Sequence, residues 1–431
     1  MSNLSKSKLI ISLILLAILS VGLIFYFFKI HSTKQPNLRK KVNKTLKQSV
    51  NDNNRTNGKK ATSLLNNDRK VDSDKQKEQT ISEIKLLPPD DDKIYFGAFP
   101  DFGGPEDYVT AKRIENFNKL VGKKIKWAYF SNNWGRDGLK FPRKKVDIIA
   151  STGTIPFVRM MPRKILDTAY DKTFSLQKII DGKFDDELHQ YAKDVKDYGK
   201  MVLIDFGLEM NGNWFPWSGA VNGGGVKTKY GDPQKADGPE RFIDAYRHIV
   251  DIFREEKVKN VTWFWHPDVY SDPDVAWNRQ KNYYPGDNYV DWIGISAYGP
   301  QNPAEDYWDT FPEIMKETQQ RILEISNKKP IALLEFGVTD HHPLGRKDHW
   351  LAGAFQYILN PQSPLQFKAI SPWHENWEED DNLWATLRLD SSPAALATFR
   401  KYIANPRFIG AEGENESNDA NTQTNTQTNF K

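Results

Sequence analysis

Residues 202–217 read VLIDFGLEMNGNWFPW, an apolar run that ends in one glutamate, Glu209, followed by a turn rich in Gly, Asn and Trp. Residues 330–340 read PIALLEFGVTD and are organised in the same way, with Glu335 at the end of the apolar run. Short apolar runs bounded by turn residues are typical of buried strands in a parallel sheet. Each segment therefore predicts a strand that carries one acidic side chain at its carboxyl end.

Eight runs of this kind alternate with helical patterns between residues 91 and 410. The predicted strands are Ile94–Phe99, Lys124–Ser131, Ile155–Pro162, Val202–Met210, Val261–Asp268, Val290–Gly299, Pro330–Val338 and Lys368–Asn376. Asp185–Tyr198 and Pro239–Glu256 place their apolar residues on one helical face, whereas the Asp-, Asn- and Pro-rich connection after the fifth strand does not favour a helix. Eight strand–helix repeats predict an α/β fold, a (β/α)8 TIM barrel, over residues 91–410.

Charge distribution and cysteine content argue against two classes of function, nucleic-acid enzymes and thiol-dependent sites. Residues 31–93 hold 15 Lys or Arg against 9 Asp or Glu, while the body from residue 94 onwards is slightly acidic. A nucleic-acid enzyme would usually carry its basic excess on the folded part, so no nucleic-acid partner is expected. The chain has no cysteine, which excludes thiol nucleophiles, thiolate metal sites and disulfides.

The two strand-end glutamates are the candidate catalytic groups, because the chemistry of such barrels lies at the carboxyl ends of the strands. Strand alternation predicts two inward-facing sets: Asp205, Gly207 and Glu209 on the fourth strand, and Ile331, Leu333 and Glu335 on the seventh. Burial and a neighbouring carboxylate raise a carboxyl pKa, so one member of the pair is expected to stay protonated as an acid while the other is a nucleophilic anion. The alternative is that each glutamate belongs to a buried ion pair.

Several segments resemble glycoside hydrolase family 26, the β-mannanase family of retaining barrel glycosidases. EMNGNWFPWSG (209–219) looks like its acid/base motif, ALLEFG (332–337) is similar to its nucleophile segment, YPGDNYVDWIGISAYG (284–299) resembles the stretch that leads to its sixth-strand tyrosine, and YFGAFP (95–100) looks like its first strand. The resemblance spans residues 94–405. It implies a retaining, endo-acting hydrolase of a β-linked polysaccharide such as a β-mannan or related β-glucan, with Glu209 as acid/base, Glu335 as nucleophile, and neither metal nor organic cofactor.

The resemblance also implies the residues that bind substrate. Tyr298 would donate a hydrogen bond to Glu335, and three tryptophans would line the sugar subsites: Trp214, Trp217 and Trp373. Core packing is the alternative for each of them, and also for Trp265, which we include as a candidate. Arg159, at the end of the third strand, is expected to bind substrate or to neutralise a carboxylate, whereas Glu375 and Glu378 are expected to be solvated loop charges.

One departure from the family pattern concerns the 2-hydroxyl of the sugar. The family usually has His before the acid/base glutamate, and Leu208 stands there instead. Hydrogen bonds to that hydroxyl strengthen in the transition state and are worth several kcal/mol. Asn211 or His266 would have to replace the contact, although His266 could also be a satisfied loop residue. Otherwise the substrate is not a typical mannan, or the chain has lost activity and is a non-catalytic glycan-binding or polysaccharide-export scaffold that keeps the barrel.

The first 90 residues predict attachment to a membrane. Leu9 to Phe28 contain no charged residue, and twenty helical residues span the ~30 Å hydrocarbon layer, so residues 1–30 are predicted to be an uncleaved single-pass anchor. A cleaved signal peptide is the alternative. Residues 31–90 and 411–431 are predicted to be a flexible basic stalk and a disordered tail. The positive-inside rule alone would keep the body in the cytoplasm, but an external polysaccharide favours a body outside the cell membrane.

Overall fold

The computed structural model describes residues 83–90, 92–166, 168–378 and 383–411. These residues belong to one compact unit, Gln79–Lys431. The predicted anchor at 1–30, most of the predicted stalk at 31–90 and nearly all of the predicted tail at 411–431 lie outside the described residues. Within the described ranges, none of the helices has both the length and the apolar character required to cross a bilayer.

Eleven strands are described. They are β1 (Ile94–Phe96), β2 (Trp127–Asn133), β3 (Ile155–Met161), β4 (Val202–Phe206), β5 (Val261–Trp265), β6 (Trp292–Tyr298), β7 (Ile331–Gly337), β8 (Phe367–Ile370), β9 (Asn376–Glu378), β10 (Trp384–Thr386) and β11 (Phe408–Ile409). All eight predicted strands are present, although β1, β4, β5 and β8 end at least three residues earlier than predicted. The short strands β9 and β10 form a separate antiparallel pair.

The nine-stranded parallel sheet follows the order β11-β1-β8-β7-β6-β5-β4-β3-β2. Its two ends meet just beyond β1, where Ala98 forms a parallel bridge with Ala128 of β2. The amide of Tyr129 donates to the carbonyl of Ala98 over 3.0 Å. The curled sheet thus has the strand order of the (β/α)8 fold, and the carboxyl ends of β1 to β8 lie at one rim.

Helices connect most of the strands. They are α1 (Ala111–Val121), α2 (Trp134–Asp137), α3 (Arg143–Ala150), α4 (Leu176–Ile180), α5 (Asp185–Tyr198), α6 (Asp237–Glu255), α7 (Phe311–Leu323), α8 (Lys347–Leu359) and α9 (Pro393–Ile403). The bounds of α5 are those predicted, and α6 begins two residues before the predicted Pro239. After β5 the chain forms only two 3₁₀ turns, Ala276–Asn278 and Gln280–Tyr283, as its Asp, Asn and Pro content indicates.

Aromatic rings fill the interior of the sheet. Trp127 of β2 lies 6.5 Å from Phe264 of β5 between ring centroids, although these strands are not neighbours, and Phe157 and Trp292 complete the layer. Polar side chains occur two residues further along the same strands, at positions 129, 159 and 266. Because alternate residues of a strand share a face, this second layer stands directly above the aromatic one, towards the rim.

Candidate active site

Glu209 lies in a turn beyond the end of β4. The strand ends at Phe206, and both Gly207 and Glu209 have positive φ angles, 62° and 52°. The predicted strand alternation through Asp205, Gly207 and Glu209 is therefore wrong, because left-handed residues interrupt the pleat. The turn is fixed by the Glu209 amide, which donates to the carbonyl of His266 over 2.6 Å. Its carboxylate accepts a hydrogen bond of 2.9 Å from Trp214 Nε1 and is 8% exposed.

Glu335 enters the barrel mouth through a β-bulge. Across the β6–β7 ladder, Leu333 pairs with Ile295 while Glu335 pairs with Ser296, so β7 has one extra residue, Leu334. Cross-strand partners share a face, and the adjacent Ile295 and Ser296 point to opposite faces. Leu333 and Glu335 therefore also lie on opposite faces, and the prediction that they share one is wrong. The bulge re-aims the carboxylate towards the interior, a common role of bulges beside functional sites.

One hydrogen-bond donor and one cation flank the Glu335 carboxylate. Tyr298 donates to Oε2 over 2.9 Å, and Arg159 Nη2 lies 3.6 Å from Oε1. Oε1 is buried and has no hydrogen-bond partner among the described residues. One oxygen is thus held in place by Tyr298, while the other remains available for a reacting group.

Arg159 joins Glu335 to Glu106, a residue that our reading of the sequence missed. Its Nη1 donates to Glu106 Oε2 over 3.1 Å, and its guanidinium lies over the ring of Trp373 at 5.2 Å. Burial alone would raise the pKa of Glu106, but the guanidiniums of Arg159 and Arg163 hold it below its ordinary value. One acidic residue in the Gly- and Pro-containing loop after β1 gives no pattern that would identify it.

The environment also sets the charge of Glu335. Burial raises its pKa to about 7, the guanidinium of Arg159 opposes this rise, and the charge of Glu209 adds to it. Burial also raises the pKa of Tyr298 well above its ordinary value, and the charges of Glu335 and Glu209 contribute. Both carboxylates therefore act on the same tyrosine. The raised pKa is thus that of the expected nucleophile, Glu335, which is buried and is also acted on by the charge of Glu106.

His266 belongs to a buried network below the carboxylates. Its Nδ1 lies 2.9 Å from Asp205 Oδ2 and 3.0 Å from the Tyr129 hydroxyl, and its Nε2 lies 2.9 Å from Ser296 Oγ. The side chain is fully buried, as is that of Asp205. Both ring nitrogens are engaged inside the protein, so the structure does not place His266 where it would contact a sugar hydroxyl.

Asn211 is occupied in a similar way. Its amide nitrogen donates to the carbonyls of Asp268 and Tyr270, at 2.9 and 2.8 Å, and its amide oxygen accepts from the Asp268 amide. The residue is fully buried and ties the turn after β4 to the loop after β5. Neither candidate replacement for the missing histidine therefore reaches the open cleft, and Leu208 itself is 1% exposed.

The tryptophan candidates separate by exposure and by their contacts. Trp214 is 39% exposed beside Glu209, whereas Trp373 is only 5% exposed, is stacked on Phe99 with centroids 3.9 Å apart and lies under the guanidinium of Arg159. Trp217 and Trp265 are 1% and 0% exposed. Trp217 donates to the carbonyl of Leu208 over 2.6 Å, and Trp265 packs edge-on against Tyr284. Trp217 and Trp265 thus occupy core positions, and only Trp214 and Trp373 adjoin the carboxylate pair.

The two late acidic residues also differ. Glu378 is exposed, as expected, but Glu375 is only 6% exposed, so its interpretation as a solvated charge is wrong. The segment after β8 runs parallel to the segment after β1, where Trp373 forms a bridge with Phe99. Glu375 follows two residues later and is buried beside this pairing. Among the described residues, no cluster of three or more acidic or histidine side chains is arranged to hold a metal ion.

Comparison with known proteins identifies the family. Residues 162–331 match the model of "Glycosyl hydrolase family 26"; this range includes Glu209, and Glu335 lies four residues beyond its end. Endoglucanase H of Acetivibrio thermocellus is 30% identical over 293 residues, which is 67% of this chain. The chain belongs to glycoside hydrolase family 26.

Other relatives agree with this placement. The mannan endo-1,4-beta-mannosidase A and B of Caldalkalibacillus mannanilyticus is 26% identical over 203 residues, 46% of this chain. The matched regions cover only 29% of the endoglucanase and 32% of the mannosidase, so the chain spans about a third of either relative. The solved structure of GH26C from a Muricauda species has a TM-score of 0.50 and 15% identity over 74% of this chain and 87% of that one, which shows a shared fold.

Proposed function

We propose that this family 26 protein hydrolyses internal bonds of a β-linked polysaccharide by double displacement, with Glu335 as nucleophile and Glu209 as acid/base. The observation that carries the proposal is the pair of unequal oxygens on Glu335. Oε2 is held by Tyr298, while the buried Oε1 has no hydrogen-bond partner among the described residues. A carboxylate held in this way presents one oxygen to an anomeric carbon.

In the first step Glu335 Oε1 attacks the anomeric carbon, and the bond to the leaving oxygen breaks as Glu209 donates its proton to that oxygen. In the second step Glu209 removes a proton from water, the water oxygen bonds to the anomeric carbon, and Glu335 leaves as a carboxylate. This route requires the two carboxyl groups to stand about 5–5.5 Å apart, whereas an inverting pair stands about 6.5–9.5 Å apart. The reaction needs no group beyond the carboxyl pair and water.

Neighbouring residues support these roles. Arg159 favours the anionic form of Glu335 that attacks, and Tyr298 orients it. Trp214 donates to Glu209 over 2.9 Å and exposes part of its ring next to that carboxylate. Aromatic rings at a cleft pack against the C–H faces of sugars. Trp214 is therefore placed to stack on the sugar unit that leaves.

The names of the relatives guide the choice of substrate. Because one is an endoglucanase and another a mannan endo-1,4-beta-mannosidase, we propose a β-linked glucan or mannan, or an exopolysaccharide built from such units. We further propose, from the sequence of residues 1–90, that an anchor holds the body outside the cell membrane, where it would trim a polymer as the cell exports it. Protease treatment of intact cells tests this placement, since a body inside the membrane would remain uncut.

Reducing-end release from soluble β-mannan, mixed-linkage β-glucan and xylan by the full-length chain tests the function. We expect Glu335→Ala to abolish release and Glu209→Ala to lower it by about 10²–10⁴-fold, the usual contribution of a general acid. Glu209→Ala should still cleave a 2,4-dinitrophenyl β-glycoside, whose leaving group needs no proton. Glu378→Ala, an exposed glutamate, is the matched control. Glycan binding without release by the wild-type chain would instead favour a non-catalytic scaffold.

A further inference from the structure

Glu375 lies at the rim opposite Glu209. The chain beyond β8 runs beside the end of β1, where Trp373 bridges to Phe99 and the His374 amide donates to the carbonyl of Phe99 over 3.1 Å. His374 packs edge-on against Phe117 of α1, with centroids 5.1 Å apart. Trp373 lies under the guanidinium of Arg159, and Glu106, the hydrogen-bond partner of Arg159, is the charge that acts most strongly on the Glu375 carboxyl.

The side chain of Glu375 is buried, and one of its two carboxyl oxygens lacks a hydrogen-bond partner among the described residues. The residue is 6% exposed, and its Oε2 has no hydrogen-bond partner in the part of the chain that the structure describes. Burial raises the pKa of this carboxyl to about 8, the charges of Glu106 and Asp101 add to the rise, and Arg113 and Arg388 oppose it. At neutral pH the group is thus mainly a neutral acid that can both donate and accept. Buried polar atoms without partners are uncommon in folded proteins and call for an explanation.

The neighbours of Glu375 connect it to the cleft. Its carboxyl senses the charge of Glu106, which accepts a hydrogen bond from Arg159, and Arg159 lies 3.6 Å from Glu335. In the ring of eight strands β8 and β4 stand on opposite sides, and β7, which carries Glu335, is the neighbour of β8. Glu209 protonates the oxygen of the departing chain. The far side, where Glu375 lies, is then the side of the sugar units that stay on the enzyme, the glycone side.

We propose, on the basis of the proposed hydrolase function, that Glu375 hydrogen-bonds a hydroxyl of a glycone-side sugar and thereby helps to select the polysaccharide. The ligand is a β-linked oligosaccharide, whose hydroxyls can hydrogen-bond the unpaired carboxyl oxygen. Glu375 acts on binding rather than on the bond that breaks. Its removal should therefore affect substrates according to the length of their glycone.

The test compares two substrates of the full-length chain: 2,4-dinitrophenyl β-glycosides that carry one or three sugar units of the polymer that the wild-type chain hydrolyses. We expect Glu375→Met, which is close in size and has no hydrogen-bonding oxygen, to lower kcat/KM at least tenfold for the three-sugar substrate and less than twofold for the one-sugar substrate. Glu375→Gln, which still donates and accepts, should keep at least a third of the wild-type value. Glu378→Met is the matched control and should change neither.

A stability measurement separates binding from folding. Glu375→Met removes a buried polar oxygen that lacks a partner, so its thermal unfolding midpoint should equal or exceed that of the wild type. If the variant fails to fold, Glu375→Ala, which adds no bulk, must show the same selective loss. Unchanged activity on the three-sugar substrate, or equal losses on both substrates, would overturn the proposal. A wild-type chain that cleaves neither glycosides nor polymers would instead refute the hydrolase function itself.

Discussion

Replacing Arg159 by Met should move the pH at which the protein becomes active. Arg159 is 2% exposed, and its Nη2 lies 3.6 Å from Glu335 Oε1. With burial and the charge of Glu209 both acting to raise it, the pKa of Glu335 is about 7 even in the presence of this cation. Removal of the guanidinium takes away the main favourable interaction of the Glu335 anion. The variant should therefore need a higher pH to ionise its nucleophile.

Coulomb's law gives the size of the effect. At 3.6 Å and an effective dielectric constant of about 20, the attraction is about 4.6 kcal/mol. One pKa unit corresponds to about 1.36 kcal/mol, so the full loss would amount to roughly three units. Water that enters the space left by the guanidinium would restore part of the solvation. We therefore expect the pKa of Glu335 to rise by between about one and three units.

The acid limb of kcat/KM reports this pKa, because kcat/KM follows the ionisation of the free enzyme. For the wild type we expect activity to rise through about pH 7, and for Arg159→Met through pH 8 or above. Arg159→Lys keeps a cation in place and should hold the limb within about half a unit of the wild type. Arg143→Met removes an exposed guanidinium on α3 and serves as the distant control. If the Arg159→Met limb stays where the wild-type limb lies, our account of the charges at Glu335 is wrong.

Two further substitutions test the surroundings of the carboxylates. His266→Ala removes one of the two hydrogen-bond partners of the buried Asp205 carboxylate and leaves the Tyr129 hydroxyl, so it should lower the free energy of unfolding by about 1–3 kcal/mol in urea denaturation. His189→Ala, on a partly exposed pair with Glu256, should cost clearly less. Trp214→Phe removes the Nε1 donor to Glu209; a hydrogen bond to a charged group contributes about 1.5–3 kcal/mol, so kcat/KM on the polymer should fall about tenfold or more. The exposed Trp384→Phe should leave that value within about twofold of the wild type, and equal losses in both variants would contradict the assigned contact.

The architecture was predictable because it depends on repeated patterns. Eight apolar runs separated by amphipathic helices left little choice other than a parallel sheet with barrel order. The apolar spacing within Asp185–Tyr198 gave the bounds of α5. The connection after β5 lacked such spacing and forms only 3₁₀ turns. Periodicity extends over many residues, so errors at single positions do not change the outcome.

The site was predictable only where it follows from strand ends. Both glutamates lie at the rim, yet neither is aimed by simple alternation, since Glu209 follows a left-handed turn and Glu335 follows a bulge. Such local backbone states have no period, and only Gly207, at a φ of 62°, hints at the turn. The tryptophans illustrate the same limit. Trp214 and Trp217 are three residues apart in one motif, but one is 39% exposed and the other 1%.

Leu208 shows why a family motif predicts the position of a catalytic glutamate better than the roles of the residues next to it. Position 208 lies between two left-handed residues, its carbonyl accepts from Trp217, and its side chain is 1% exposed. In this packing a histidine side chain would lie in apolar surroundings, where an unpaired polar group costs about 1–3 kcal/mol. His266, the histidine beside this turn, directly follows β5 and is hydrogen-bonded to Asp205 and Ser296 below the cleft. The end of a strand determines where a catalytic carboxylate lies. The partner of a sugar hydroxyl depends instead on which polar groups the packing leaves without a hydrogen bond at the rim. Among the described residues, Oε2 of Glu375 is such a group.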